Sequence, residues 1–580
     1  MSRGISIRPS QFVFSYGVGS ILEAPDGPRL VLDFKDWGGL FRSPKPSLDS
    51  YEISDENLKA LLDGGRIFRL PTNADLGETD EVVLFRTGRF PNWGLCQEHQ
   101  ILYRLRHNGK TGCPKCNPEK DAQDQAIRFV RACPRGHLDD VDWPSIVHRK
   151  NRNCKGEVFK WTEEGSTLSD IKIKCVSCGA EATLSDIYYG TYSCSGRVPE
   201  SDLIESCDEH ASVVLRNASN LRVVVLESVL TIPPRDTRIS RILENPRLSS
   251  ILALSLKKYW DKKELLENLR DIADSVPSLN PVTLAEIENT AEEVLFKTIK
   301  EIIMSQQPNI KLSSQEIRCK ELDALQTAAR LGHPPKPDST VSDFEVDKDS
   351  VIIFPLSQKI SLRITPVKRM RVVAAQKGYK RLVGKEPSIR ARTRETFLKT
   401  GNDRWYLGID LLGEGIFVDL SPRKILHIED STAKDWLSRF ENGKNLNYHP
   451  IFVWWHTLSH RFIKALALDS GYSSASIRER MYIKYDSPEK VEGAVLLYTS
   501  QKGGDGTLGG LIALVPEFKR VISTVLRNLD SCSNDPLCSE QKLSHNRNNG
   551  AACYACMFIS ETSCEFGNSY LDRNLLRQNL

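Results

Sequence analysis

The chain has 580 residues and a mass of 65.4 kDa, too long for one ordinary core, so about three to five domains are expected. Hydrophobic residues make up 40% and charged residues 27%, a globular mix that excludes a mostly disordered chain. No run of about 18 apolar residues occurs, so neither a transmembrane helix nor a membrane partner is expected. The net charge of +4 says little by itself about nucleic acid.

Residues 1–90 mix short apolar runs with turn signals and read as a β-rich N-terminal region. Phe12 to Leu22 reads as extended segments around glycine turns, and Leu30–Phe34 and Val82–Phe85 read as strands. The first residues lack the apolar stretch of a secretory signal, so the expected compartment is the cytoplasm. In a reducing compartment, fifteen cysteines are poor candidates for disulfides. Fourteen fall into two clusters, Cys96–Cys207 and Cys532–Cys564, and clustering in C-x2-C pairs points to metal. Cys319 stands apart and reads as a buried thiol.

Residues 91–215 hold the first cluster. Cys96 and His99, then Cys113 and Cys116, form two knuckles with zinc-ribbon spacing, each supplying two ligands to one tetrahedral ion. A looser set follows: Cys154, Cys175, Cys178 and Cys194, with Cys133, His137 and Cys207 as competing ligands. Asn108-Gly109-Lys110-Thr111 contains part of a P-loop, but Arg104 stands where its first glycine belongs, so no ATP site is expected. Asp139, Asp140 and Asp142 are a possible acidic site, although such a run is usually a turn or cap.

Residues 216–340 read as mainly helical, with amphipathic stretches from Leu252 to Tyr259 and from Ala285 to Met304. Gly332 to Thr340 is proline-rich and reads as a linker. Residues 341–444 form a basic α/β region that opens with a strand at Val351–Phe354. Positions 363–399 carry twelve Lys and Arg against Glu386 and Glu395 only. Lys368, Arg369, Arg371, Lys377, Lys380, Arg381, Arg390, Arg392 and Arg394 are therefore candidate DNA contacts, with Tyr379 and Phe397 interleaved. A solvated face or a dock for an acidic protein partner is the competing reading.

Residues 445–580 read as helix, strand, glycine loop, helix and cysteine cluster. His456 and His460 share one helical face beside an apolar stripe; a packed pair is the plainer reading, and a metal hydrolase using them with a carboxylate such as Asp505 is the sharper one. Gly504 to Gly509 matches G-x-G-x-x-G after a strand, but the helix from Leu511 runs through Val521 to Leu529 and into Cys532. No second strand then carries a ribose-binding acid. Cys532, Cys538, Cys553 and Cys556 form the last zinc set, with Cys564 and His545 in reserve. Two or three structural Zn2+ sites are expected in all. The expected fold is multidomain α+β: zinc-ribbon modules in the N-terminal half, a helical middle, and an α/β C-terminal domain that ends in a zinc-binding cysteine cluster.

Seven segments in order carry a resemblance. They are Arg8-Pro9-Ser10-Gln11, Cys133-Pro134-Arg135-Gly136-His137-Leu138-Asp139-Asp140, Arg216-Asn217-Ala218-Ser219-Asn220 and Gly413-Glu414-Gly415-Ile416-Phe417. They continue with His456-Thr457-Leu458-Ser459-His460, Asp505 to Gly510, and Cys553-Tyr554-Ala555-Cys556. Together they resemble the DrmB family of DISARM anti-phage systems, and the C-terminal part is similar to a cysteine-rich domain at the end of certain helicases. The resemblance implies a bacterial cytoplasmic accessory subunit, not itself an enzyme, of the SNF2-like helicase DrmA. A DNA methyltransferase and a phospholipase-D-type nuclease are further components of such systems. No catalytic residue carries over. Asn217 stands where the family pattern has glycine.

Overall fold

The computed structural model describes residues 6–37, 48–76, 85–105, 112–117, 126–232, 261–271, 281–292, 313–332, 343–384, 390–422, 446–487, 490–501, 509–527, 529–544 and 547–580, with a few single positions between them. The chain divides into two units, one of residues 1–228 with 373–410, the other of residues 229–372 with 411–580. The first two segments read from the sequence fall in the first unit. The third is divided at Ser228/Val229, the fourth lies partly in each unit, and the fifth falls in the second unit.

The first unit opens on a helix, Pro9–Phe14, where extended chain was expected. Proline is favoured in the first turn because its fixed φ suits the helix and its missing N–H would be unpaired there anyway. The hairpin Ile21–Ala24/Gly27–Val31 follows, with strand Thr87–Arg89 beside it. The expected strand at Val82–Phe85 lies almost wholly outside the described residues.

Two antiparallel sheets carry the first cysteine cluster. One has five strands in the order Glu181–Thr183, Ile171–Cys175, Phe159–Glu163, Ile101–Arg104 and Trp93–Cys96. The other orders Tyr192–Ser193, His210–Leu215, Phe129–Ala132 and Leu138–Asp140. Phe159, Trp161, Ile173 and Cys175 point inward by strand alternation and pack with Trp93, Trp143, Leu184 and Ile187. Cys96 and Cys175 end strands, and Cys133 follows one, so the sheets hold knuckle residues at fixed places.

In the second unit, helix Pro450–Asp469 is apolar nearly all round and buried along most of its length. It packs with strands Arg478–Ser487 and Lys490–Gln501, helix Phe518–Arg527 and the C-terminal helix Arg573–Gln578 in one core. Helix Ser314–Leu331 starts with a capping box of Ser313 and Glu316. It adds Leu322, Leu325 and Ala328 to a second core with Phe417, Tyr482 and Leu496. The expected long helix from Leu511 is interrupted. A short turn at Ile512–Leu514 precedes a separate helix, Phe518–Arg527, because Pro516 cannot sustain the i→i−4 bonds of a continuous one.

In the expected helical middle, the described parts include helices Lys262–Asp271, Pro281–Asn289 and Ser314–Leu331, but residues 223–231 are strand. Leu252–Tyr259, most of Gly332–Thr340 and much of Ala285–Met304 lie outside the described residues. Among the described residues, no helix is long and apolar enough to cross a membrane.

Candidate metal centres

Four quartets of cysteine and histidine come together, each with its ligand atoms within 4.8 Å of one another. In the first, His99 Nδ1 lies 3.5 Å from Cys96 Sγ, 3.7 Å from Cys113 Sγ and 3.4 Å from Cys116 Sγ. This is the grouping expected from knuckle spacing. Tetrahedral zinc with Zn–N and Zn–S bonds of about 2.0–2.3 Å separates its ligands by about 3.3–3.8 Å, so the spacing fits.

The looser middle set divides in two, which corrects the expected grouping. Cys154, Cys175 and Cys178 join His148, not Cys194. His148 is 3% exposed, and neither of its ring nitrogens makes a well-formed hydrogen bond among the described residues, although the ring interacts with Cys175 and draws its sulfur toward the thiolate. A buried imidazole in that condition lacks a partner that a metal would supply. Cys194 instead joins Cys133, His137 and Cys207. Strand Tyr192–Ser193 leads to Cys194 and pairs with His210–Leu215, in a different sheet from Cys175.

The turn Cys133-Pro134-Arg135-Gly136-His137 folds back with Gly136 at φ +91°, a conformation that favours glycine. His137 Nδ1 then lies 3.2 Å from Cys133 Sγ and 3.5 Å from Cys194 Sγ, while its Nε2 lies 3.0 Å from Glu205 Oε2. A carboxylate behind a histidine fixes its tautomer and raises its basicity as a ligand.

The C-terminal quartet has the expected members. Cys532 and Cys553 sulfurs are 3.5 Å apart, Cys538 and Cys556 3.7 Å, and Cys553 and Cys556 3.7 Å. In each quartet one sulfur has a depressed pKa, while burial and neighbouring sulfurs push another up (Cys116, Cys194, Cys154 and Cys538), so one proton leaves readily and another is held until a cation neutralises the charge. Cys194 and His137 draw Cys133 down to about 4 by hydrogen bonding. Burial opposes the shift at Cys96, Cys175 and Cys553, but hydrogen bonds from neighbouring backbone amides and ligand side chains outweigh it and bring them to about 7, 6 and 7. A thiolate is the form that binds metal. Four protein donors per site leave no position for an activated water, which is the character of structural zinc.

The reserve ligand Cys564 is not with the C-terminal quartet. It sits with His456, His460 and Glu479, all four buried. Glu479 had no motif to mark it. Asp505, His545, the partial P-loop lysine and nearly all of the glycine loop lie outside the described residues.

The basic segment differs most from expectation. Arg381 is fully buried, donating from Nε to Gly136 O and from Nη1 to Leu221 O at 2.9 Å each, so it is not available to a phosphate. Tyr379, also buried, hydrogen-bonds to Glu200. Arg394 pairs with Glu205 at 2.8 Å, behind His137, and Arg390 with Glu209 at 3.1 Å. In the second unit Lys368 pairs with Asp347 at 3.0 Å, and Arg371 reaches Thr231 Oγ1 at 3.3 Å. Arg369, Lys377 and Lys380 are half-buried, and Arg392 is exposed. The reason is strand geometry: these residues lie largely on or beside sheet strands, whose neighbours supply carboxylates and carbonyls.

Residues 8–223 match a family model described as a domain of unknown function, DUF8724. Residues 458–557 match the MrfA Zn-binding domain, a span that contains the C-terminal cysteine quartet. Over 603 aligned residues the chain is 27% identical to DISARM protein DrmB of Bacillus paralicheniformis, covering 96% of this chain and 97% of that protein. The chain resembles DrmB from end to end. The DrmB resemblance thus covers more of the chain than the two domain matches, and the zinc-domain match agrees with the donor chemistry of Cys532, Cys538, Cys553 and Cys556.

Proposed function

We propose that this chain is the DrmB-type component of a bacterial DISARM anti-phage system. The observation that carries the reading is its similarity to DISARM protein DrmB over 96% of its length. In this role it is a non-catalytic cytoplasmic subunit that grips DNA and serves an SNF2-like helicase of the DrmA type. A methyltransferase and a phospholipase-D-type nuclease are further partners of the assembly. Zinc quartets hold its small sheets together, where the separate cores are slight.

Of the candidate DNA contacts Lys368, Arg390 and Arg392 are exposed; Lys368 and Arg390 pair with carboxylates, so Arg392 is the best placed and Arg390 is its neighbour. The burial of His456, His460 and Glu479 at 1% exposure or less favours a structural over a hydrolytic role for that cluster.

The test is made in a host carrying the complete system. Deleting this chain should restore phage plating, and the wild-type chain supplied in trans should abolish it again. Unchanged plating on deletion overturns the reading. Arg390→Glu with Arg392→Glu should weaken DNA binding by the helicase complex and reduce its salt slope by about two, roughly one per lost phosphate contact. An unchanged slope removes DNA contact from these residues.

A further inference from the structure

We propose that His456, His460, Glu479 and Cys564 bind one zinc ion in a closed site, separate from the four cysteine-rich quartets. The proposal does not depend on the DISARM reading. Its donors come from three places in the second unit: the two histidines one turn apart on helix Pro450–Asp469, Glu479 on strand Arg478–Ser487, and Cys564 on the C-terminal loop. His456 and Cys564 both lie outside the 458–557 stretch that matches the MrfA Zn-binding domain.

The ring orientations bring the donor atoms together. His460 Nδ1 faces the Met557 carbonyl at 3.0 Å, and His456 Nδ1 faces the Tyr570 carbonyl at 3.4 Å. Carbonyls only accept, so each Nδ1 is a donor to its carbonyl and each ring turns its Nε2 toward the space between the two histidines. The two Nε2 atoms are 3.1 Å apart. His456 Nε2 is also 2.8 Å from Glu479 Oε1 and 3.3 Å from Cys564 Sγ, and His460 Nε2 is 3.7 Å from Glu479 Oε1. Two ring nitrogens, a carboxylate oxygen and a sulfur, all of ligand type, therefore converge on one point in a dry interior. A cation at their centre would be held by all four: the 3.3 and 3.7 Å separations match the about 3.3–3.8 Å edge of a zinc tetrahedron, and the 3.1 and 2.8 Å ones are shorter.

Hydrogen bonds from the surroundings orient the donors toward the centre. The backbone N–H groups of Phe566 and Asn568 each donate to Cys564 Sγ at 3.3 Å. Similar amide-to-sulfur bonds serve Cys154, Cys194 and Cys532 in the other quartets. Ser459 donates its hydroxyl to Glu479 Oε2, and Oε1, which also accepts the Glu565 N–H at 3.3 Å, faces the centre. One carboxylate and one thiolate balance a dication, so the filled site adds no net charge to the core. Two imidazoles, a thiolate and a carboxylate suit borderline Zn2+; hard Mg2+ and Ca2+ prefer all-oxygen cages, and Cu+ prefers sulfur. With four protein donors and no solvent access, the ion pins helix, strand and loop together.

Native mass spectrometry of the full-length protein counts its metal ions. Cys564→Ser and Glu479→Gln should each hold one zinc fewer per chain than the wild type. Folded variants with an unchanged count overturn the proposal. Should either variant fail to fold, crystals of the wild-type protein give the answer through anomalous scattering across the zinc edge. A peak between His456 and His460 is expected. A peak at the Cys532 quartet with none between the histidines overturns the proposal, and a peak there at the iron edge alone overturns the choice of zinc.

Discussion

Arg480 and Glu321 form a two-pronged ion pair, with Nε 2.7 Å from Oε2 and Nη2 2.6 Å from Oε1. Arg480 is inaccessible and Glu321 only 5% exposed. Glu321 also accepts the Leu230 N–H at 2.9 Å. The adjacent residue on the strand, Glu479, faces the His456 helix instead, because successive side chains leave a strand on opposite faces. One strand thus anchors helix Ser314–Leu331 with one residue and the buried histidine cluster with the next.

Removing one partner strands a buried charge. Glu321→Ala should destabilise the second unit by about 3–5 kcal/mol, since Arg480 would keep its desolvation cost without its counter-ion. Denaturant unfolding of the two proteins measures this. A loss of under about 1 kcal/mol, the value of an exposed pair, would contradict the burial.

Glu205 connects Arg394 to His137. Glu205→Ala should lower zinc affinity at the Cys133, His137, Cys194 and Cys207 quartet by about 10–100-fold, as loss of a carboxylate behind a metal-bound histidine does. Competition with a graded chelator should show one ion leaving early while the others keep their wild-type order. Release curves that superimpose would remove Glu205 from the site.

Gly493 has no room for a side chain. A Cβ there would overlap the indole of Trp455, which is fully buried. Gly493→Ala should cost about 1–3 kcal/mol by overpacking. The expected reading is a lower denaturation midpoint at an unchanged m-value; an unchanged midpoint would mean the indole can move aside.

His449 caps helix Pro450–Asp469, its Nδ1 accepting the Ile451 N–H at 3.2 Å. Burial pushes its pKa down to about 4, against an unfolded value of about 6.5. Between those values the unfolded chain binds more protons than the folded one, so stability falls as pH drops from about 6.5 toward 4 and is fully present above that window. His449→Asn keeps a capping acceptor without the titration. Its stability should fall less than that of the wild type over the same range, and parallel pH curves would contradict the assignment.

Legibility in the sequence followed the locality of each signal. Cys96, His99, Cys113 and Cys116 were readable because a knuckle is a short-range pattern. The partner of Cys175 was not, since which sheet a strand joins is a long-range outcome: Cys194 follows a strand of the four-stranded sheet, and His148, at the end of helix Trp143–Val147, fills the vacated place. Arg381 and Arg394 looked free in a charge count because their partners, Gly136 and Glu205, lie far upstream in the chain. Pro516 and Pro9 were local signals whose weight was missed.

The proposed role, a subunit beside a helicase, has one most direct test. The most direct measurement is to purify the tagged full-length protein from its native host and identify its stoichiometric partners by mass spectrometry. Recovery of a large SNF2-type ATPase in constant ratio is the expected result. Recovery of the chain alone, from cells in which that ATPase is present, would contradict it.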